Sequence, residues 1–440
     1  MKKIYSPMIA LVFSAIGMTT QAQAKKMLTL DEAVNLGIQN SKNLKIDQAK
    51  IDQATANYLE AKNNRLPSLK ISASALALAN ANVEIMALPP SENGGGAAAP
   101  KANSAFYGSV SASLPIFTGG RIKYGIQSAE YLVEASKLST ENDKLAIAYN
   151  VSQAYNNLFK ASQQIKVLED NLTASQKRDE SFQKLEDNGI IARNDKLKAN
   201  LQTSNIELQL LDANNNYNIA NINMDLLLGL PDATEIEIDP NYIAELTENQ
   251  PVSYYLNQAI SQRKDVQALD YQRKAAELGT KAAKAESLPT IALTGGYIAA
   301  EIPKILTITN AANIGVGIQY NIDNLWKKNS SLMRSIATEK QLSATNELLN
   351  DQIKLEVNRD YQNSEFAKKR ISVYEKAAAQ ANENYRVTKN KFDNGLATIT
   401  ELLDADTAQI SANVNVVNAK ADAALAYRKL LQTTGILTLH

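Results

Sequence analysis

Two carboxylates near the end of the chain have the spacing of a functional pair. Glu401 and Asp404 lie three residues apart in a helical pattern, which places them on one face of a helix. If several chains met at this point, these side chains would form an acidic ring of the kind that selects cations. The alternative is local: Glu401 would cap its own helix, and Asp404 would be a solvated acid favoured by the helix dipole.

Other side chains that commonly carry out chemistry are scarce. The single histidine is His440, and the 440 residues include no cysteine. Zinc ligation and nucleophilic catalysis therefore lack their usual residues, so we expect neither an enzyme nor a cofactor. The 46 basic and 46 acidic side chains balance, which argues against a nucleic-acid partner because phosphates require a basic face.

The two carboxylates follow a stretch that ends one helix and begins another. Asn394-Gly395 ends a long helical pattern, since glycine adopts the left-handed conformation without a Cβ clash. Thr398 and Glu401 have the spacing of a capping box, which begins the next helix. The same helix-ending dipeptide occurs at Asn188-Gly189, 206 residues earlier. Both stretches predict the tip of a helical hairpin.

The tips belong to an internal repeat. Leu66-Pro67 and Leu288-Pro289 are 222 residues apart, whereas Tyr155 and Tyr361 are 206 apart, so the first copy carries 16 extra residues. The extra residues coincide with the Gly-rich stretch 88–96, a flexible loop by composition. We predict four regions: a signal peptide at 1–24, a first repeat at 25–230, a linker at 231–251 and a second repeat at 252–440.

The N-terminal stretch predicts export. Lys2 and Lys3 form its positive end, Met8–Met18 its apolar part, and Ala22-Gln23-Ala24 a small-residue cleavage site. The alternative, a spanning helix, needs roughly 20 apolar residues and this stretch is too short. Because no later segment is apolar enough either, we expect any membrane insertion to use β-strands.

Each copy predicts the same order of elements: a short helix, two strands, a long helix, a tip and a second short helix. In the first copy we expect a helix at 30–64, strands at about 68–80 and 105–117, and a helical hairpin at about 121–228. In the second copy we expect a helix at 254–286, strands at about 289–300 and 312–322, and a helical hairpin at about 328–432. Apolar positions recur at steps of three and four along the long helix, as in a coiled coil.

Helix lengths and strand number restrict the architecture. A long helix of this length spans roughly 100 Å, so two short helices stacked end to end can flank it. Four strands cannot close a barrel, and an open edge in lipid leaves backbone groups unpaired. Two chains would give eight strands with a filled interior, whereas three would give twelve with a lumen. We therefore expect a mainly α fold with a small β part, assembled as a trimer.

These features resemble the TolC family of outer-membrane efflux proteins. The resemblance rests on the duplicated unit, on Gly395–Ala405 after the second long helix, and on four motifs: Leu66–Leu69, Leu114–Gly120, Leu288–Ile291 and Phe392–Asp404. It implies a homotrimer with a 12-stranded β-barrel in the outer membrane and an α-helical barrel through the periplasm of a Gram-negative cell. It also implies a passive exit duct for tripartite efflux or type I secretion, which receives substrates from an inner-membrane pump through a periplasmic adaptor.

The resemblance assigns roles to residues of the two tips. It implies an acidic ring at a periplasmic gate, formed by Glu401, Asp404 and Asp195. Some members lock the gate with a Tyr and an Arg, in whose places this chain has Phe392 and Ala397. The remaining candidates for gate-closing contacts are Arg193, Asn194, Lys196 and Lys198, together with Phe392 itself. Candidate adaptor contacts, with ordinary turn packing as the alternative, are Gly189, Ile190, Gly395 and Leu396.

The competing interpretation is a periplasmic coiled-coil adaptor, an interaction protein that never enters the membrane. Adaptors usually have one helical hairpin and a lipoyl-like β domain. This chain instead predicts two hairpins and strands long enough to cross an outer membrane. The sequence therefore favours the duct.

Overall fold

The computed structural model describes residues 25–82, 101–231, 234–239, 242–243, 248–303 and 305–438. The predicted signal peptide and the Gly-rich stretch 88–96 lie outside the described residues. Within these ranges, no helix is both long enough and apolar enough to cross a membrane.

The elements follow the predicted order in each half of the chain. The first half contains β1 (Lys25–Leu28), α1 (Leu30–Asn40), α2 (Lys42–Asn63), β2 (Ser68–Asn82), β3 (Lys101–Phe117), α3 (Arg121–Asp187), α4 (Arg193–Leu228) and β4 (Glu235–Ile238). The second half contains α5 (Val252–Gln262), α6 (Lys264–Ala285), β5 (Thr290–Ile302), β6 (Leu306–Gln319), α7 (Ser330–Asp393) and α8 (Ile399–Thr433). The division into two repeats with the boundaries given above stays a prediction.

The prediction of one continuous helix before each strand pair is wrong. The first helix breaks at Ser41, whose extended backbone (ψ 122°) ends α1 and whose Oγ accepts a hydrogen bond from the Leu44 amide at 3.3 Å. The second breaks at Arg263, with nearly the same backbone angles. Neither break contains glycine or proline, so the local sequence carries no strong stop signal.

The second strand of each pair differs from the predicted bounds. β3 begins at Lys101 rather than at 105, and β6 spans Leu306–Gln319 rather than 312–322. A tight turn, in which the Ile305 amide donates to the Ile302 carbonyl at 3.0 Å, lets β5 and β6 pair up to their common end. β6 ends three residues before its predicted bound, and a short 3₁₀ turn at Ile322–Leu325 begins at the predicted last residue of that strand.

The four long strands form one antiparallel sheet in the order β2-β3-β5-β6 with two distinct faces. One face is apolar and exposed, with Leu69, Ile71, Phe106, Leu293, Tyr297, Ile314, Val316 and Ile318. The other face is mostly small or polar, with Lys70, Ser72, Ser74, Ser109, Ser111, Ser113, Thr294, Gly296 and Asn313. Strands β2 and β6 each have one edge without a partner strand among the described residues.

The helices continue from this sheet in two successive layers, one next to the sheet and one further along the long helices. Next to the sheet, α3 packs against α2 and α6, and α6 packs against α7. Further along, α3 packs against α4 and α8, and α8 packs against α7. Each long helix is therefore flanked by two shorter segments placed end to end, as predicted.

The end-to-end joints are closed by specific hydrogen bonds. Where α1 meets α4, Asn40 Nδ2 donates to the Leu228 carbonyl at 2.7 Å. Where α5 meets α8, Arg263 Nη1 donates to the Thr433 carbonyl at 3.2 Å. Both carbonyls belong to the last residue of a helix, where the chain itself offers no partner.

A small parallel sheet, β1 with β4, lies beside the first joint, within and beyond the segment predicted as a linker. In β4, Ile236 and Ile238 alternate with acidic residues, which is typical of a strand, whereas β1 carries no such local signal. Tyr155, fully buried on α3, ties this sheet to the helices: its hydroxyl donates to the Leu28 carbonyl at 2.8 Å and accepts from the Asp239 amide at 3.2 Å. Burial raises the pKa of Tyr155 to about 12, so this hydroxyl stays protonated and able to donate.

We expect Tyr155→Phe to destabilise the protein, because it removes both of these buried hydrogen bonds. The loss should be about 1–3 kcal/mol, measured as the free energy of unfolding of the detergent-extracted protein. The matched control is Tyr254→Phe, since Tyr254 is 43% exposed and its change should stay within about 0.5 kcal/mol. Equal stability of the two variants would contradict the role assigned to the Tyr155 hydroxyl.

Candidate functional site

The two tips end their long helices in the same way. At the first tip Gly189 has φ +66° and the Ile190 amide donates to the Leu185 carbonyl at 2.8 Å. At the second tip Gly395 has φ +71° and the Leu396 amide donates to the Lys391 carbonyl, also at 2.8 Å. These bonds define the Schellman motif, in which a glycine in the left-handed conformation ends the helix.

Glu401 is held in a capping box at the start of α8. The Thr398 amide donates to Glu401 Oε2 at 2.7 Å, and the Glu401 amide donates to Thr398 Oγ1 at 3.3 Å. The hydrogen bond from the Thr398 amide, followed by that from its hydroxyl, lowers the pKa of Glu401. Asp404 is exposed one turn further along the helix. Within one chain, therefore, Glu401 caps its helix, which is the local alternative that the sequence left open.

The first tip is built differently at the matching positions. Ala192 stands before α4 and provides no side-chain cap. Asp195, which matches Glu401, forms an ion pair with Lys198 at 3.3 Å, and Lys198 Nζ also lies 3.5 Å from Thr400 Oγ1 of α8. The carboxylate of Asp195 is thus partly neutralised by a cation of its own helix, while Lys198 connects the two tips.

The other candidates for gate-closing contacts occupy separate places. Lys196 pairs with Glu186 at 3.0 Å and so joins the two arms of the first hairpin. Arg193 and Asn194 are exposed at the start of α4. Phe392 packs on the Phe182 ring, with 5.4 Å between centroids. Among the described residues, no hydrogen bond or ion pair joins these four side chains to Glu401 or Asp404.

Phe392 belongs to an apolar cluster that holds the tips of the two hairpins together. The buried members of this cluster are Phe182, Ala199, Ile399 and Leu402, which come from α3, α4 and α8. Two apolar residues of the turns stay outside the cluster: Ile190 is 67% exposed and Leu396 is 77% exposed. Ordinary turn packing therefore does not account for Ile190 and Leu396, and the two side chains are available to a partner.

A buried polar network two to three turns from the tips was missed by the sequence analysis. Arg178 on α3 forms an ion pair with Asp406 on α8 at 2.8 Å, and the two side chains are only 11% and 7% exposed. Arg178 Nη2 also donates to Ser175 Oγ at 3.1 Å, and Ser175 Oγ lies 2.6 Å from Thr203 Oγ1 on α4. The network thus joins α3, α4 and α8.

One signal in the sequence could have revealed this network. Arg178 lies between the buried Ser175 and Phe182, and Asp406 lies between the buried Ala405 and Ile410. A charged residue within an apolar period requires a buried partner, because an isolated charge is costly there. The partner in the ion pair, however, is 228 residues away and could not be inferred from local spacing.

The network also influences a tyrosine of α7. Burial, and then the negative charge of Asp406, raise the pKa of the Tyr385 hydroxyl.

Two long helical hairpins that continue into a four-stranded sheet with one apolar face are the architecture of TolC-like channels. The sequence matches the family model described as outer membrane efflux protein over residues 33–230 and 255–436. The chain therefore belongs to the outer membrane efflux protein family.

Individual relatives agree with this assignment. The outer membrane efflux protein BepC of Brucella suis is 24% identical over 330 residues, which cover 73% of this chain and 70% of BepC. The solved structure of VceC from Vibrio cholerae is similar with a TM-score of 0.75 and 20% identity, covering 92% of this chain and 96% of VceC. The open-state structure of MtrE from Neisseria gonorrhoeae gives a TM-score of 0.74 and 18% identity, covering 93% of this chain and 90% of MtrE.

The protein is an outer-membrane efflux channel that extends into the periplasm, and it is not an enzyme. The predicted TolC-like fold and the predicted duct are confirmed by the family match. The periplasmic adaptor, the competing interpretation of the sequence, is set aside on the same evidence. The roles of individual tip residues stay predictions.

We expect Arg178→Leu to destabilise the protein strongly, because it leaves the Asp406 carboxylate buried without its cation. Removing one partner of a buried pair costs about 3–5 kcal/mol in the free energy of unfolding. The matched control is Arg386→Leu on α7, because the Arg386–Glu383 pair is exposed (63% and 59%) and such pairs contribute about 0–1 kcal/mol. A double variant with Asp406→Leu should recover much of the loss. If Arg178→Leu and Arg386→Leu cost the same, the buried pair does not hold the hairpins together.

Proposed function

We propose that the chain works as a homotrimer whose twelve strands form a barrel in the outer membrane and whose helices form a tunnel gated at the tips. The observation that carries this proposal is the four-stranded sheet with an apolar face and two open edges. In lipid those edges must be paired, and closure by a second and third copy pairs β6 of each protomer with β2 of the next. Channels of this family generally work as trimers with adaptor and pump partners.

The helical layers support the same closure. In the layer near the tips the order is α4-α3-α8-α7, so α4 and α7 stand at opposite flanks, as β2 and β6 do in the sheet. Both flanking helices carry large apolar side chains that are more than half exposed. On α4 these are Leu197, Leu201, Leu208, Leu211, Ile219, Ile222 and Leu226, and on α7 they include Leu348, Leu355, Phe366 and Val373. A ring of three chains would bury α7 of one protomer against α4 of the next.

We expect native mass spectrometry of the detergent-extracted protein to give the mass of three mature chains. Each mature chain is the 48.0 kDa chain without its predicted signal peptide. Leu208→Glu should shift the protein towards monomers, because it would place a carboxylate in the proposed interface between helices. The adjacent exposed Glu207 supplies the control, since Glu207→Gln changes polarity little and should leave the trimer intact. A stable monomer with an intact sheet would refute the trimeric barrel.

The tips form the gate in this proposal. Three copies of Glu401 and Asp404 would converge as an acidic ring, and Asp195 would add charge that Lys198 partly neutralises. The closed state would be held by the Arg178–Asp406 pair, the apolar cluster at Phe392 and the Lys198 contact. In the trimer, the start of α4 would lie near the neighbouring protomer and would offer it Arg193, Asn194 and Lys196 as contacts.

The adaptor and the inner-membrane pump would engage the gate from the periplasm. Ile190 and Leu396, next to Gly189 and Gly395 at the turns, are exposed apolar residues at the far end of both hairpins. These four residues form the adaptor contact in our proposal, because an adaptor bound there could move the helices that the gate joins. The protein itself then supplies a passive duct for efflux or for type I secretion.

We expect Glu401→Gln combined with Asp404→Asn to reduce cation selectivity in planar bilayers and to raise the Mg²⁺ concentration that blocks conductance. Six charges would be lost at the narrowest point, whereas Gln at this position still suits a capping box. Thr398→Ala is the matched control, because it removes the cap and keeps the charges. Selectivity lost in Thr398→Ala but kept in the double variant would show that Glu401 acts as a cap alone.

A further inference from the structure

Cationic side chains dominate the junction between the sheet and the first hairpin. In the described residues between Glu60 and Glu130 no carboxylate occurs, whereas six cationic residues do: Lys62, Arg65, Lys70, Lys101, Arg121 and Lys123. The chain as a whole has balanced charges. Among the described residues, this excess of cations is therefore local to the first strand pair and its flanks.

Lys70 belongs to the small and polar face of the sheet. Its cross-strand partner is Ser111, which pairs in turn with Gly296, and Gly296 pairs with Asn313. The other three residues of this row are therefore uncharged. The only other charged residues of the four strands are Lys101 and Glu301, which lie towards the opposite end of the sheet. Among the described residues, no carboxylate forms an ion pair with the exposed Lys70 ammonium.

Arg121 lies next to residues of the face of the sheet that carries Lys70. It contributes to a cavity of about 640 Å³ where the first turn of α3 meets the strands. This cavity is also lined by Ser68, Ser113 and Thr290 of the polar face. Ser68 precedes Lys70 by two residues, a distance of about 7 Å along a strand. Arg121 is exposed, and it too forms no ion pair with a described carboxylate.

We propose that Lys70 and Arg121 form a cationic collar inside the channel, at the junction of barrel and tunnel, which concentrates small anions and the anionic groups of exported molecules. The collar rests on the proposed trimer, in which the apolar face meets lipid and the polar face lines the lumen. Three chains would then bring six cations close to one level of the wall, where the row of Lys70 otherwise consists of Ser111, Gly296 and Asn313. A narrow passage lined by charges of one sign raises the local concentration of counter-ions.

The collar has the opposite sign to the proposed acidic ring of the tips. The two groups of charges lie at opposite ends of α3, roughly 100 Å apart at 1.5 Å per residue, and salt screens them from each other completely. Each therefore acts independently on a permeating ion.

The test is the reversal potential of the full-length channel in planar bilayers under a KCl gradient. With Lys70→Gln and Arg121→Gln together, we expect the permeability ratio of chloride to potassium to fall roughly twofold or more. We also expect the concentration of inorganic pyrophosphate that halves the current to rise about tenfold, because the variant would lose six cations that face a multivalent anion. Lys70→Arg with Arg121→Lys should behave as the wild type, because it keeps both charges.

Lys42→Gln with Lys45→Gln is the matched control, since these two exposed lysines of α2 lie beside the helix joint rather than at the junction. Their removal takes the same charge from each chain and should change neither quantity. If the Lys70 and Arg121 variant conducts as a trimer with unchanged selectivity and unchanged pyrophosphate block, the collar is refuted and the channel proposal stands. A wild-type protein that forms neither a trimer nor a conductance would refute both.

Discussion

The structure depends on the requirement that backbone hydrogen-bonding groups have partners. In a four-stranded sheet with one apolar face, the outer edges of β2 and β6 present N–H and C=O groups that lipid cannot satisfy. The helices repeat this arrangement, because α4 and α7 stand at the flanks of their layer with apolar side chains exposed. In the proposed trimer, one chain is thus a segment of a ring both in the sheet and in the helices. The same constraint operates on a smaller scale at the helix joints, where Asn40 and Arg263 supply hydrogen bonds to the last carbonyls of α4 and α8.

The features that the sequence predicted well are those determined by neighbouring residues. The ends of both long helices follow from Gly189 and Gly395, and the start of α8 follows from the capping box of Thr398. The alternation of Leu69 and Lys70 between two faces follows from the period of a strand. In each case the interaction spans a few residues, so spacing alone specifies it.

The features that the sequence did not predict depend on distant partners. Ser41 ends a helix without a breaker residue, and the pairing of β1 with β4 joins strands about 210 residues apart. The ion pair between Arg178 and Asp406 spans 228 residues. An apolar period shows that a face is buried but does not show which helix covers it, so these contacts required the three-dimensional structure.

The capping role of Glu401 and its membership of an acidic ring are compatible. Three like charges that converge would raise the pKa of each carboxylate and favour its neutral form. The hydrogen bonds from Thr398 act in the opposite direction, since they lower the pKa of Glu401 and fix its orientation. A glutamate held in this way keeps its charge under repulsion more readily than an unbonded side chain would. The cap is therefore the local structure that would allow a charged ring to form at the tips.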